Sequence, residues 1–190
     1  MIKIALFGGA FDPITISHST IAQQLSNYFD EVWIQPCYKS YYGKNMTSGF
    51  DRIQLCQILI DELKLSKVKV STFEICNKIT CPTWKIISDM ILLFPNINFY
   101  FIIGADNAQK FTTWENWNII LKLVNVVVIP RENMDISSLN YPFKYMNEII
   151  AGDSSSTKVR DLIKQKDYNG LNKYITQKVL EYILERHLYI

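Results

Sequence analysis

A chain of 190 residues with 48% hydrophobic and 20% charged side chains can bury a sizeable core, which argues against disorder and for one domain. Its 20 basic and 18 acidic side chains leave a net charge of +2, so no nucleic-acid partner is expected and any anion site has to be local. Four cysteines without a CxxC pair and two histidines argue against a zinc site and for reduced thiols. No apolar run approaches the roughly 18 residues of a membrane span, and the N-terminus lacks a signal-peptide layout. The expectation is a cytoplasmic protein without a membrane partner.

The apolar run Ile2–Phe7 reads as a buried strand, and Ile21, Ala22, Leu25, Tyr28 and Phe29 recur at helical spacing. Between them lies Gly8-Gly9-Ala10-Phe11-Asp12-Pro13-Ile14-Thr15-Ile16-Ser17-His18. Two glycines leaving a strand let the backbone approach a ligand closely, and a helix start presents unpaired N–H groups to an anion. Glu31–Pro36 reads as the second strand. The stretch 37–49 is polar and aromatic without a period, hence a loop, carrying Lys39 and Lys44.

Ser48 is placed to cap a helix with Asp51 at its N3 position, and Ile53, Cys56, Ile60 and Leu63 would form the buried face. Arg52 opposes the dipole in the first turn, which fits a ligand role or a surface position. Val68–Ile75 alternates as a strand, and Trp84–Phe94 has helical spacing. Phe99–Ile103 is an unbroken apolar strand of the kind found mid-sheet. The Gly104-Ala105-Asp106 that follows falls on the same sheet edge as Gly8 and His18, if strand ends carry the site. Trp114 offers a flat face to a heteroaromatic ring, whereas Trp117 lies among core positions.

Val124–Ile129 is a further strand, with Arg131 beyond its carboxyl end, a place to meet a phosphate. Residues 132–145 read as loop and Ile149–Ala151 as a last short strand. Asp153-Ser154-Ser155-Ser156-Thr157-Lys158-Val159-Arg160 opens another helix; its serines are good caps, and Arg160 opposes the dipole unless an anion neutralises it. The stretch 174–189 reads as one amphipathic helix, with His187 on its surface.

Two of these stretches resemble a known family. GGxFDP followed by HxxH or TxxH, and a later SSTxxR, are signatures of nucleotidyltransferases. With the intervening GAD…Trp114 segment and the tail, the chain is most similar to the nicotinate or nicotinamide mononucleotide adenylyltransferases over nearly its whole length. The resemblance implies a single Rossmann-like α/β domain over 1–190, with a mainly parallel sheet flanked by helices. Its C-terminal helical part, about 154–190, would complete the ATP site. The alternation of strand and helix reaches the same fold class independently.

The resemblance also implies roles. His18 and Arg160 would be catalytic, and Gly8, Gly9, Phe11, Thr15, Gly104, Asp106, Ser156 and Thr157 would join them in binding ATP. Thr83, Trp114 and Arg131 would bind the mononucleotide, and Lys39 or Lys44 would close on the triphosphate. Magnesium would arrive with ATP, held chiefly by phosphates, with Asp12 or Asp106 helping through water. Thr15 replaces the first motif histidine, as in many relatives. Ser17 stands where the family has glycine, and the family's YTxxT segment is reduced to Pro82-Thr83-Trp84, which leaves acid versus amide specificity open. Pantetheine-phosphate adenylyltransferase shares FDPIT. Against it stand Gly9, the GAD…Trp114 segment and Thr157. A catalytically silent nucleotide-binding protein would be expected to lack His18 or Arg160.

Overall fold

The computed structural model describes residues 1–40, 43, 45–130, 141–152 and 155–190. Six strands form one sheet: β1 (Ile2–Gly9), β2 (Glu31–Pro36), β3 (Val68–Val70), β4 (Ile97–Gly104), β5 (Asn125–Ile129) and β6 (Lys144–Tyr145). Their order is β3-β2-β1-β4-β5-β6 and every pairing is parallel. This is the doubly wound Rossmann arrangement expected from the sequence. The strand order reverses between β1 and β4, and the crevice beyond their carboxyl ends is where such sheets bind ligands.

Alternation along β1 explains the two-sided core. Ala5 and Phe7 face Ile21 and Leu25 of α1 (Ile16–Leu25) and Leu55 and Leu59 of α2 (Gly49–Glu62). Val159 of α7 (Ser156–Lys164) and Val179 of α9 (Gln177–Glu185) complete that side. Ile4 and Leu6 face the other way, onto Ile87 and Met90 of α4 (Thr83–Leu93) and Ile120 of α6 (Trp117–Leu123). A sheet covered on both faces has no polar face to present, so its central strands read as apolar runs. Each such Leu or Ile contributes about 1.5–3 kcal/mol by burial. Among the described residues no helix is long and apolar enough to cross a membrane.

Five expectations are corrected. The strand expected over 68–75 stops at Val70; α3 (Phe73–Cys76) follows and buries Glu74. The expected strand at Ile149–Ala151 is absent, because the Gln24 side-chain amide takes the place of a neighbouring strand. Its Nε2 donates to Ile150 O and its Oε1 accepts from Ile150 N–H, both at 3.0 Å. The paired strand is β6, inside the stretch expected to be loop.

The buried face of α2 is Arg52, Leu55, Cys56, Leu59 and Ile60, while Leu63 is exposed. The expected long tail helix is confined to α9, preceded by α8 (Tyr168–Leu171), and His187 and Tyr189 beyond it adopt left-handed backbone (φ 51° and 64°). The Ser48 cap is as expected, accepting from Asp51 N–H at 3.1 Å.

Candidate active site

β1 delivers Gly8 and Gly9 to the crevice, and the chain turns through a cis Asp12–Pro13 peptide into α1, whose N-cap is Thr15. In a capping box the third helical residue reaches back to the cap N–H, a task usually given to Glu or Gln. Here His18 does it. Thr15 N–H donates to His18 Nδ1 at 3.1 Å, and Thr15 Oγ1 lies 2.8 Å from the same nitrogen. A backbone N–H can only donate, so Nδ1 is the acceptor and the neutral ring carries its proton on Nε2. Phe11 meets the imidazole edge-on with centroids 5.1 Å apart.

Phe11 itself has φ 47°, an uncommon conformation for a bulky side chain. The carbonyls on either side of it are pinned by arginines. Arg52 Nη1 donates to Ala10 O at 2.7 Å, and Arg160 Nη1 donates to Asp12 O at 2.6 Å. Strain of this kind persists where the surroundings over-determine the backbone.

Arg160 also brings the second signature to the first. Its Nη2 donates to Thr157 Oγ1 at 3.0 Å, and Ser156 Oγ donates to Pro13 O at 2.8 Å. Ser155 caps α7 by accepting from Lys158 N–H. The starts of α1 and α7 therefore meet at Asp12–Pro13, as the two motifs required.

Two cavities open on this turn. The smaller, about 180 Å³, is walled by Phe11 and His18 on one side and by Gly104 and Asp106 on the other. The larger, about 460 Å³ and within the range of small-molecule sites, is lined by Gln35, Lys39, Glu74 and Thr83. Gly8, Gly9, Ala10, Phe101, Asn107 and Trp114 line both. A Cβ on Gly8 would meet only the Phe101 ring, at 3.6 Å, whereas one on Gly9 would come within 3.1 Å of the Phe11 ring. Gly9 is thus glycine for the turn's own packing, and Gly8 for the space beside it.

Trp114 leans on Phe111 (5.4 Å between centroids, 44° between planes) and stands in the wall between the cavities. Trp117 packs on Phe111 and Tyr141, the core position expected for it.

Several predicted residues have other occupations. Thr15 is fully buried, so a phosphate would have to displace its bond to His18. Asp12 is buried too, accepting from Tyr189 O–H at 2.8 Å and Thr47 N–H at 3.3 Å. Burial, reinforced by the Asp12 charge, pushes the Tyr189 hydroxyl well above the usual tyrosine range. Ser17, the departure from the family's glycine, is buried opposite Gly152, where a Cβ would come within 2.6 Å of Ser17 Oγ. Arg131, Lys44 and Ser154 lie outside the described residues.

Sequence reasoning missed the polar floor of the larger cavity. Gln35 Nε2 donates to Glu74 Oε1 at 2.9 Å, and Ser71 Oγ donates to Gln35 Oε1 at 3.2 Å. Burial pushes the Glu74 carboxyl up, against the Gln35 bond, the Tyr38 N–H and the Arg52 charge. Arg52 is wholly buried, donating to the carbonyls of Thr47, Ala10, Cys37 and Tyr38 at 2.6–3.1 Å. Neither of its expected settings, ligand contact or surface, is where it sits. Asn107 was also missed, though its place after Gly104-Ala105-Asp106 was a usable signal.

Burial raises the Cys37 and Cys81 thiols at this cavity, which disfavours a thiolate nucleophile. Among the described residues no three His, Cys, Asp or Glu side chains group as a metal site.

A doubly wound parallel sheet with a strand-ending glycine pair, a histidine on the following helix start and a second helix start tied to the same turn is a fold of the nucleotidyltransferase type. The cytidylyltransferase-like family model matches residues 6–162. A protein of Caldicellulosiruptor bescii named "Probable nicotinate-nucleotide adenylyltransferase" is 31% identical over 203 residues, covering 98% of both chains. One of the same name from Methylacidiphilum infernorum is 26% identical, covering 99% of this chain and 92% of its own.

Among solved structures, Plasmodium falciparum nicotinic acid mononucleotide adenylyltransferase complexed with NaAD superposes with a TM-score of 0.85 at 27% identity. The match covers 100% of this chain and 98% of that one. The same enzyme complexed with APC gives 0.82. The chain belongs to the cytidylyltransferase-like family and, within it, to the nicotinate-nucleotide adenylyltransferases.

Proposed function

We propose that the protein transfers the AMP moiety of ATP to nicotinate mononucleotide, or to its amide, with release of pyrophosphate, as a cytoplasmic step of NAD biosynthesis. The observation that carries this reading is the junction of two helix starts at Asp12–Pro13, directly after a turn whose Gly8, Gly9 and Ala10 line two adjoining cavities and whose Phe11 and His18 line the smaller. The smaller cavity would take the adenosine of ATP against Gly104 and Asp106. The larger would take the mononucleotide, its ring against Trp114 and Thr83. Arg131 would meet the mononucleotide's phosphate.

The acceptor's phosphate oxygen attacks the α-phosphorus of ATP, a P–O bond forms there, and the bond to the β-phosphate bridge breaks. No covalent enzyme intermediate is needed. Catalysis is then alignment and charge stabilisation. His18, with Nδ1 held by Thr15, presents Nε2–H as a donor to charge developing at the α/β bridge. Arg160 is fixed in plane by two bonds out of five N–H groups and faces the β and γ oxygens with the Ser156–Thr157 helix start. Magnesium would neutralise phosphate charge, held by the phosphates themselves, with Asp106 the carboxylate lining the smaller cavity.

The test is dinucleotide formation from ATP with nicotinate or nicotinamide mononucleotide at matched concentrations. Turnover of phosphopantetheine but of neither mononucleotide would overturn the reading.

A further inference from the structure

Lys39 lines the larger cavity three residues past the end of β2, and the backbone just before it is held with unusual economy. Arg52 Nη2 donates to Cys37 O at 2.6 Å and to Tyr38 O at 3.1 Å. The Glu74 carboxylate takes the Tyr38 N–H and, through Gln35, the strand end itself. The two charges reach this dipeptide from different helices, α2 and α3, and each is almost wholly buried. An isolated buried charge is costly, so one that serves only packing is a poor use of a core position. Here both act on the segment that launches Lys39, whose ammonium stands 5.4 Å from the Tyr38 ring centroid. Arg52 also holds Ala10 O, which ties the same segment to the glycine turn.

Lys39 lines the larger cavity and not the smaller one, so of the two lysines expected on the triphosphate it is better placed for the acceptor. We infer that Glu74 and Arg52 are positioning residues for the acceptor: they clamp Cys37–Tyr38 so that Lys39 is held at the larger cavity to meet the mononucleotide's anionic groups. The inference rests on the reading that this cavity takes the mononucleotide. It separates Glu74 from a direct ligand contact, the other role its place in the lining would allow. A positioning residue acts through Lys39 and loses its effect when Lys39 is gone. A direct contact keeps its effect regardless.

The experiment is a double-mutant cycle on the full chain. Nicotinate mononucleotide binding is measured by calorimetry, and turnover with ATP is measured alongside. Lys39→Ala is expected to weaken binding about tenfold, the scale of one charge-assisted hydrogen bond. Glu74→Gln keeps the shape but not the charge, and is expected to weaken binding about fivefold with the KM for ATP within about twofold of the parent. The double variant is expected to bind like Lys39→Ala alone, and Arg52→Lys, which cannot span two carbonyls as a fork, to behave like Glu74→Gln.

Independent, multiplying losses in the double variant would overturn the inference, as would unchanged binding by Glu74→Gln. Thermal unfolding of Glu74→Gln within a few degrees of the parent guards against a folding effect. Binding that follows this pattern without turnover would leave the clamp standing and remove the proposed reaction. No binding to the parent protein would remove both.

Discussion

The two cavities share a wall but are built on opposite plans. The smaller is made from what lies beside it in sequence: a strand end, a glycine pair and a capped helix within residues 8–18, faced by Gly104-Ala105-Asp106. The larger is assembled from the ends of β2, α3 and α4, and its polar floor is side chains that the fold has buried. Backbone donors and a histidine suit a phosphate whatever it is attached to. A floor of Gln35 and Glu74 that acts through Lys39, as proposed, would serve one acceptor and be free to differ where the acceptor differs. On the proposed reading, reaction type and substrate choice would be held by physically different material.

The sharpest break of that contrast is His18→Ala, which should cut kcat by about 10²–10³, the scale of one lost transition-state donor. Glu74→Gln should instead act on acceptor binding with little change in kcat. Equal kcat losses from both would collapse the distinction. Next in size, Gly8→Ala should lower kcat/KM with each substrate by about tenfold or more while Tm holds, because its Cβ meets only Phe101 at 3.6 Å yet occupies the shared wall. A fall in Tm comparable to that of Gly9→Ala would return Gly8 to a folding role.

Gly152→Ala should destabilise by about 1–3 kcal/mol, since its Cβ falls 2.6 Å from Ser17 Oγ. Adding Ser17→Gly should restore Tm. A double variant as unstable as the single one would dissociate the pair.

The smallest effect expected is on pH dependence. Burial alone would raise Asp51, but the bonds from Ser48, Tyr182 and Arg186 outweigh it and hold its carboxyl below the usual range. Its contribution is therefore present above the unfolded value of about 3.9 and lost as pH falls through the folded one. Asp51→Asn should flatten the acid-side decline in Tm. Glu74 is raised instead, by burial, so the folded protein takes up its proton more readily than the unfolded chain. The Tm difference between parent and Glu74→Gln should accordingly shrink as pH falls toward about 4.

The same contrast decides what could be read from residues alone. Sheet class, the two helix starts and the placement of Gly104 and Asp106 were legible, because periodicity, caps and glycines act locally. Glu74 was not, because alternation over 68–75 reads as strand and nothing local says that the chain turns at Ser71. Arg52 was noticed for opposing its helix dipole, but its burial depends on carbonyls up to 42 residues away. Thr15 and Ser156 were assigned to phosphate, whereas their hydroxyls already meet His18 and Pro13 O. The Ser17 departure looked like a crowded turn until Gly152 supplied the missing volume.

The bond from Tyr189 to Asp12 closes a loop of 177 residues around the glycine turn. During synthesis at about 5–20 residues per second, the two partners emerge roughly 10–35 s apart. The turn's one carboxylate, Asp12, thus waits for a partner made 177 residues later. Assembly of the reaction centre is thereby coupled to completion of the C-terminal helices, so a nascent chain lacking them should not yet hold a finished nucleotide site.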